Sequence, residues 1–140
     1  MATNRRFGHA ARALPLALTA VLVAAPGCGS SKPSYCGDRS QLESEVKGLG
    51  NLNLSTEGLS ALESQLREVE KSANATISSA KSDFPNETTA IRTSLSSLTN
   101  AIDALPSSPS AEQLVGLVPK VQNVASSVAG FADATSSKCS

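Results

Sequence analysis

Three thiols, Cys28, Cys36 and Cys139, are the side chains of this 140-residue chain best suited to chemistry. A cysteine can attack as a thiolate, ligate a metal, carry an acyl group or close a disulfide. A metal site needs several convergent His, Cys or carboxylate ligands, yet the one histidine, His9, stands near the front of the chain. The nearest carboxylate pairs are Glu43/Glu45, Glu68/Glu70 and Asp83/Glu87. The first two pairs are two residues apart and diverge on a helix; the third straddles Pro85. Nucleophilic catalysis needs an activated nucleophile beside a base. Serines abound, but there is no Gly-x-Ser-x-Gly elbow and no glycine-rich phosphate loop before a lysine. Ser31-Lys32 and Ser137-Lys138 lie in tails. The expectation is a protein that is not an enzyme, with no catalytic residue, metal or cofactor, whose thiols are used for anchoring and cross-linking.

The surroundings of Cys28 say which. Arg5, Arg6 and Arg12 charge the front of the chain, Leu14 to Ala25 is uncharged, and Ala25-Pro26-Gly27 brings small residues up to the thiol. This is the three-part plan of a secretory leader. The apolar run, about 12 residues, spans about 18 Å as a helix against about 30 Å of hydrocarbon, too short to stay as a membrane span. Ala25-Pro26-Gly27-Cys28 resembles the lipobox of bacterial lipoproteins. That resemblance implies a diacylglyceryl group on Cys28, cleavage just before it and acylation of the new amino terminus, with palmitate-type chains holding the protein at the outer face of the cell membrane. One acyl chain holds marginally and two or more hold stably. Ordinary leader cleavage after Gly27 also fits the small-residue rule and would release a secreted, soluble protein. Gly29-Ser30-Ser31-Lys32-Pro33-Ser34 has the composition of a flexible tether.

Export implies an oxidising compartment, where unpaired thiols are unusual. With Cys28 acylated, Cys36 and Cys139 remain as a pair, at the front of the mature body and one residue from its end. Their bond would close a loop of about 100 residues; the alternative is a free Cys139 on a frayed tail. Without the leader, nine basic residues face 12 acidic ones, a net charge near −3. No basic field exists to attract nucleic acid. The body of about 113 residues suits one domain, and it has no Trp, one Tyr and two Phe, so an aromatic-rich binding groove is not expected.

The body reads as helices throughout. Asp38-Arg39-Ser40-Gln41 has a helix-start signature, followed by Leu42, Val46 and Leu49, with Gly48 and Gly50 ending a short helix. Ser55 or Thr56 caps a second helix with the stripe Leu59, Leu62, Leu66, Val69, Ala73, Ile77 and Ala80. Such three-four alternation keeps one face apolar. The charges around Glu63, Arg67 and Lys71 mark a solvated face. Phe84-Pro85 breaks the run, since the residue before proline avoids helical geometry. Ile91, Leu95, Leu98, Ile102 and Leu105 define a third helix. After a Pro106–Pro109 loop, Ser110-Ala111-Glu112-Gln113 forms a capping box. The fourth helix carries Leu114, Leu117, Val121, Val124, Val128 and Phe131, with a kink expected at Gly116 and Pro119. Ala73, Ala80 and Ala125 supply small seam residues. The triplets at Asn53, Asn74 and Asn86 match the glycosylation pattern but arise easily in so Ser/Thr-rich a chain.

One-sided seams must cover one another, and an even number of passes returns the chain to its starting end, where a Cys36–Cys139 bond needs it. The fold class expected is all-α: an antiparallel up-and-down bundle of one short and three long helices, closed by a terminal disulfide and preceded by a cleaved leader helix. The divisions are 1–27 (leader), 28–35 (lipidated cysteine and tether) and 36–140 (bundle). Heptad-like spacing also suits an intermolecular coiled coil; a monomer is expected because several seams lie within one chain. Cys36-Gly37-Asp38-Arg39, Phe84-Pro85, the three Ala/Leu/Val seams and Cys139 resemble a set of small exported lipoproteins of high-GC Gram-positive bacteria without known activity. The resemblance implies location and shape. Two functions fit: an envelope-tethered structural or interaction module with an envelope protein or cell-wall partner, or a carrier holding an apolar small molecule between its helices.

Overall fold

The computed structural model describes residues 31–140, which form one compact unit. The leader, Cys28 and the first tether residues lie outside the described residues. Five helices follow one another: α1 (Ser34–Asn51), α2 (Leu54–Ala80), α3 (Pro85–Asp103), α4 (Ala111–Val115) and α5 (Val118–Cys139). No strand occurs among the described residues. The stripe residues explain why. Leu62, Leu66, Val69, Ala73, Ile77 and Ala80 of α2 are buried, as are Ile91, Leu95, Leu98 and Ile102 of α3 and Val121, Val124, Val128 and Phe131 of α5. Each large apolar side chain removed from water contributes about 1.5–3 kcal/mol, far beyond the few tenths that propensity supplies.

Cross-helix contacts fix the topology. Asp38 meets Ser79 and Glu45 meets Gln65 between α1 and α2; Glu70 meets Thr99 between α2 and α3; Ser97 meets Lys120 between α3 and α5. Residue numbers climb on α1 as they fall on α2, the signature of antiparallel neighbours. Helices α1, α2, α3 and α5 form a ring in that order, and α4 rests on α2. Cys36 and Cys139 are disulfide-bonded, with Cα atoms 5.4 Å apart. The bundle and its terminal cross-link are as expected.

The helix ends differ from the sequence expectation in four places. First, α1 starts at Ser34, four residues before Asp38, with Pro33 as its cap. Tyr35, assigned to the tether, is buried in α1. The reason is the aromatic triad it joins: Tyr35, Phe84 and Phe131 pack edge-to-face with centroids 5.5, 5.9 and 6.5 Å apart, a favourable quadrupole geometry. Second, α1 runs through Gly48 and Gly50 to Asn51, so the helix expected to be short has 18 residues, close to the 19 of α3, and the short one is the five-residue α4. At Gly48 the absent Cβ leaves room for the Gln65 amide, which a Cβ would approach to 2.8 Å.

Third, Leu54–Glu57 is a single turn separated from the rest of α2 by Gly58, whose φ of 75° and ψ of −174° only glycine adopts readily. Leu59, just after it, is half-buried. Fourth, Gly116-Leu117 divides the last helix in two, so the chain restarts rather than kinks at Pro119. A proline at the start of a helix loses no intrahelical bond. The capping box at Ser110 is formed by both of its hydrogen bonds. Ala73 and Ala80 are seam residues, whereas Ala125 is exposed.

Two variants test these points by chemical denaturation. Removing the cross-link as C36S/C139S, across a separation of 103 residues, is expected to lower unfolding free energy by about 3–5 kcal/mol while the helical circular dichroism persists. Gly58→Ala meets no atom within 4 Å, so its expected cost of about 1–3 kcal/mol is backbone strain alone; an unchanged midpoint would refute that.

Candidate functional site

At the disulfide end, polar side chains bond from helix to helix, while the buried Nε of Arg39 has no hydrogen-bond partner. Arg39 Nη1 donates to Ala132 O and to Thr135 Oγ1, each at 3.3 Å, and its Nε lies 4.0 Å from Glu43 Oε1. Asp38, read as a helix cap, instead accepts a 2.6 Å hydrogen bond from Ser79 Oγ on α2. Lys32 Nζ donates to Cys139 O at 3.1 Å, holding the emerging chain against the end of α5. Buried Thr76, Thr88, Ser94 and Thr135 donate to carbonyls three or four residues back at 2.8–3.0 Å, so they bring no free chemistry to the core. No group of three or more potential metal ligands occurs among the described residues.

What remains open is the seam between α2 and α3. Three clefts line up along it, of about 380, 190 and 290 Å³. Ile77 and Arg92 are shared by the first two, Glu70 and Thr99 by the first and third, so together they make one continuous groove. Its floor is apolar: Leu66 and Ile77 from α2, Leu95 and Ile102 from α3. Its walls are polar. From α2 come Glu63, Arg67, Glu70 and Asn74, and from α3 come Arg92, Ser96, Thr99 and Asp103. Thr99 Oγ1 donates to Glu70 Oε1 at 2.9 Å across the groove.

The sequence carries a signal for these walls that helix-by-helix reading passes over. Each wall residue directly follows a seam residue: Leu62/Glu63, Leu66/Arg67, Val69/Glu70 and Ala73/Asn74 on α2, then Ile91/Arg92, Leu95/Ser96, Leu98/Thr99 and Ile102/Asp103 on α3. One residue is a rotation of about 100°. Because the helices are antiparallel, that rotation runs in opposite senses viewed from one end. Both polar stripes therefore turn onto the same side of the pair. Glu63 and Arg67, read as part of a solvated face, stand on the rim of the groove.

Of the residues singled out from sequence, Cys36 and Cys139 come together, and Cys28 lies outside the described residues. Comparison with protein-family models, curated proteins and solved structures finds no match to this chain. The Thr99–Glu70 bridge is open to a direct check. Thr99→Val is expected to cost about 0.5–1.5 kcal/mol on denaturation; because Glu70 remains within reach of water, a loss above about 3 kcal/mol would mean the bridge is more than a surface hydrogen bond.

Proposed function

We propose that this chain is an exported lipoprotein, held at the outer face of the cell membrane by acyl chains on Cys28, whose helical bundle serves as a structural or protein-interaction module. The observation that carries the reading is the Cys36–Cys139 bond, because such bonds form and persist in oxidising compartments outside the cytosol. It accounts for two of the three cysteines and leaves Cys28, at the end of a leader-like segment, as the thiol available for lipid. No helix among the described residues is long and apolar enough to cross a membrane, so attachment in this reading falls to Cys28. The tether is short, because the chain enters α1 at Ser34. The disulfide end of the bundle therefore lies nearest the bilayer.

An interaction module is favoured over a carrier of apolar small molecules by the lining of the α2–α3 groove. Charged and amide side chains flank it on both sides, whereas a site for an apolar ligand is enclosed and mostly apolar. In this reading the protein performs no catalysis and binds no nucleic acid. The net charge of about −3 in the mature chain gives no attraction for phosphate backbones.

Intact-mass measurement on the protein from its native membrane tests the reading. The expected species begins at residue 28, carries added acyl mass and shows the mass deficit of one disulfide. Cys28→Ser should move the protein out of the membrane fraction. A mature protein lacking acyl mass, or a membrane location untouched by Cys28→Ser, would overturn it.

A further inference from the structure

We propose that the α2–α3 groove binds an extended peptide segment of a partner protein, with carboxylates toward the disulfide end and basic side chains toward the other. The proposal rests on the interaction-module reading and names its surface and the chemistry of its partner.

The groove is electrically polarised along its length. Beside Pro85 its lining includes Lys81 and Arg92 and no carboxylate, Asp83 and Glu87 standing close by in the chain but outside the lining. At the opposite end Glu63, Glu70 and Asp103 outnumber Arg67. The charges are not spent on one another: the one ion pair among the described residues is Arg39–Glu43, on α1. A ligand with the reverse polarity gains at both ends, and one of uniform charge is repelled at one of them.

The lining decides what kind of chain fits. A docking helix needs an apolar stripe to cover, but Leu66, Ile77, Leu95 and Ile102 are each no more than 7% exposed. A sugar is usually held by stacking on an aromatic ring, and the aromatic side chains of the described residues pack on one another in the Tyr35–Phe84–Phe131 triad. The cleft between the other two is also lined by Asn74 and Asn100, both exposed. A carboxamide offers a donor and an acceptor together, matching the N–H and C=O that an extended strand leaves unpaired. From Pro85 to Asp103 the wall measures about 27 Å at 1.5 Å per residue, room for about eight residues at 3.3 Å each.

The test is a titration of the mature chain with a blocked peptide of about eight residues. The peptide has aspartates at one end, alternating alanine and serine between, and lysines at the other, and backbone amide NMR shifts are followed. Shifts are expected along the groove walls of α2 and α3. Lys81→Glu with Arg92→Glu should raise Kd about tenfold with unchanged circular dichroism, and a peptide with its charges replaced by serine should weaken similarly. Absence of shifts, shifts centred on α5, or a Kd indifferent to the charge reversal would overturn the proposal. Photo-crosslinking in the native envelope from Ser96, in the groove, and from Gln122, on α5, separates this failure from that of the module itself. Capture from Gln122 alone overturns the groove and leaves the module standing; capture from neither overturns both.

Discussion

The bond between Cys36 and Cys139 joins the first turn of α1 to the last turn of α5, and the rest of the bundle is arranged around that closure. A helix ring of four passes has four seams, three of them made by neighbours in sequence. The fourth, between α1 and α5, joins the two ends of the body and is the one with the largest loop-closure entropy to overcome. Cross-linking there removes much of that entropy from the unfolded chain. The surrounding contacts serve the same seam: the aromatic triad brings Tyr35 onto Phe131, and Arg39 reaches across to Ala132 and Thr135. Covalent, apolar and polar contacts thus all act at the seam where sequence distance makes association hardest.

The α2–α3 seam is the contrasting case. Its helices are joined by a short turn through Phe84-Pro85, so proximity comes with little entropic cost, and the pair can pack sparsely. Leu66, Ile77, Leu95 and Ile102 close the floor, and Thr99 and Glu70 bridge the walls. A groove persists above them because α3 presents Ser96 and Thr99, and α2 presents Asn74, where larger apolar residues would have filled the space. The opening lies on a face of the bundle away from the bond that closes it, so it can be lined with charge without weakening the closure.

Local backbone choices adapt the four passes to this frame. Gly58 lets the chain turn between a one-turn start and the long stretch of α2. Gly48 lets the Gln65 amide approach α1, where it donates to the Glu45 carbonyl at 3.0 Å. Gly116-Leu117 separates α4 from α5 while Leu114, before the break, and Leu117, within it, stay buried.

Helix type, number of passes and nearly every core residue were legible in the sequence, because a three-four apolar spacing is a local property and each helix buries its own stripe. The cysteine pair was legible because parity counts residues without needing coordinates. Helix ends were less so. Asp38 resembles a cap, yet Tyr35 draws α1 back to Ser34 through contacts with Phe84 and Phe131, residues about 50 and 100 positions away. The groove was the least legible feature. Its polar stripes are written beside the apolar ones, but whether two stripes face each other or point apart depends on which helices are antiparallel neighbours. Only the packed ring decides that.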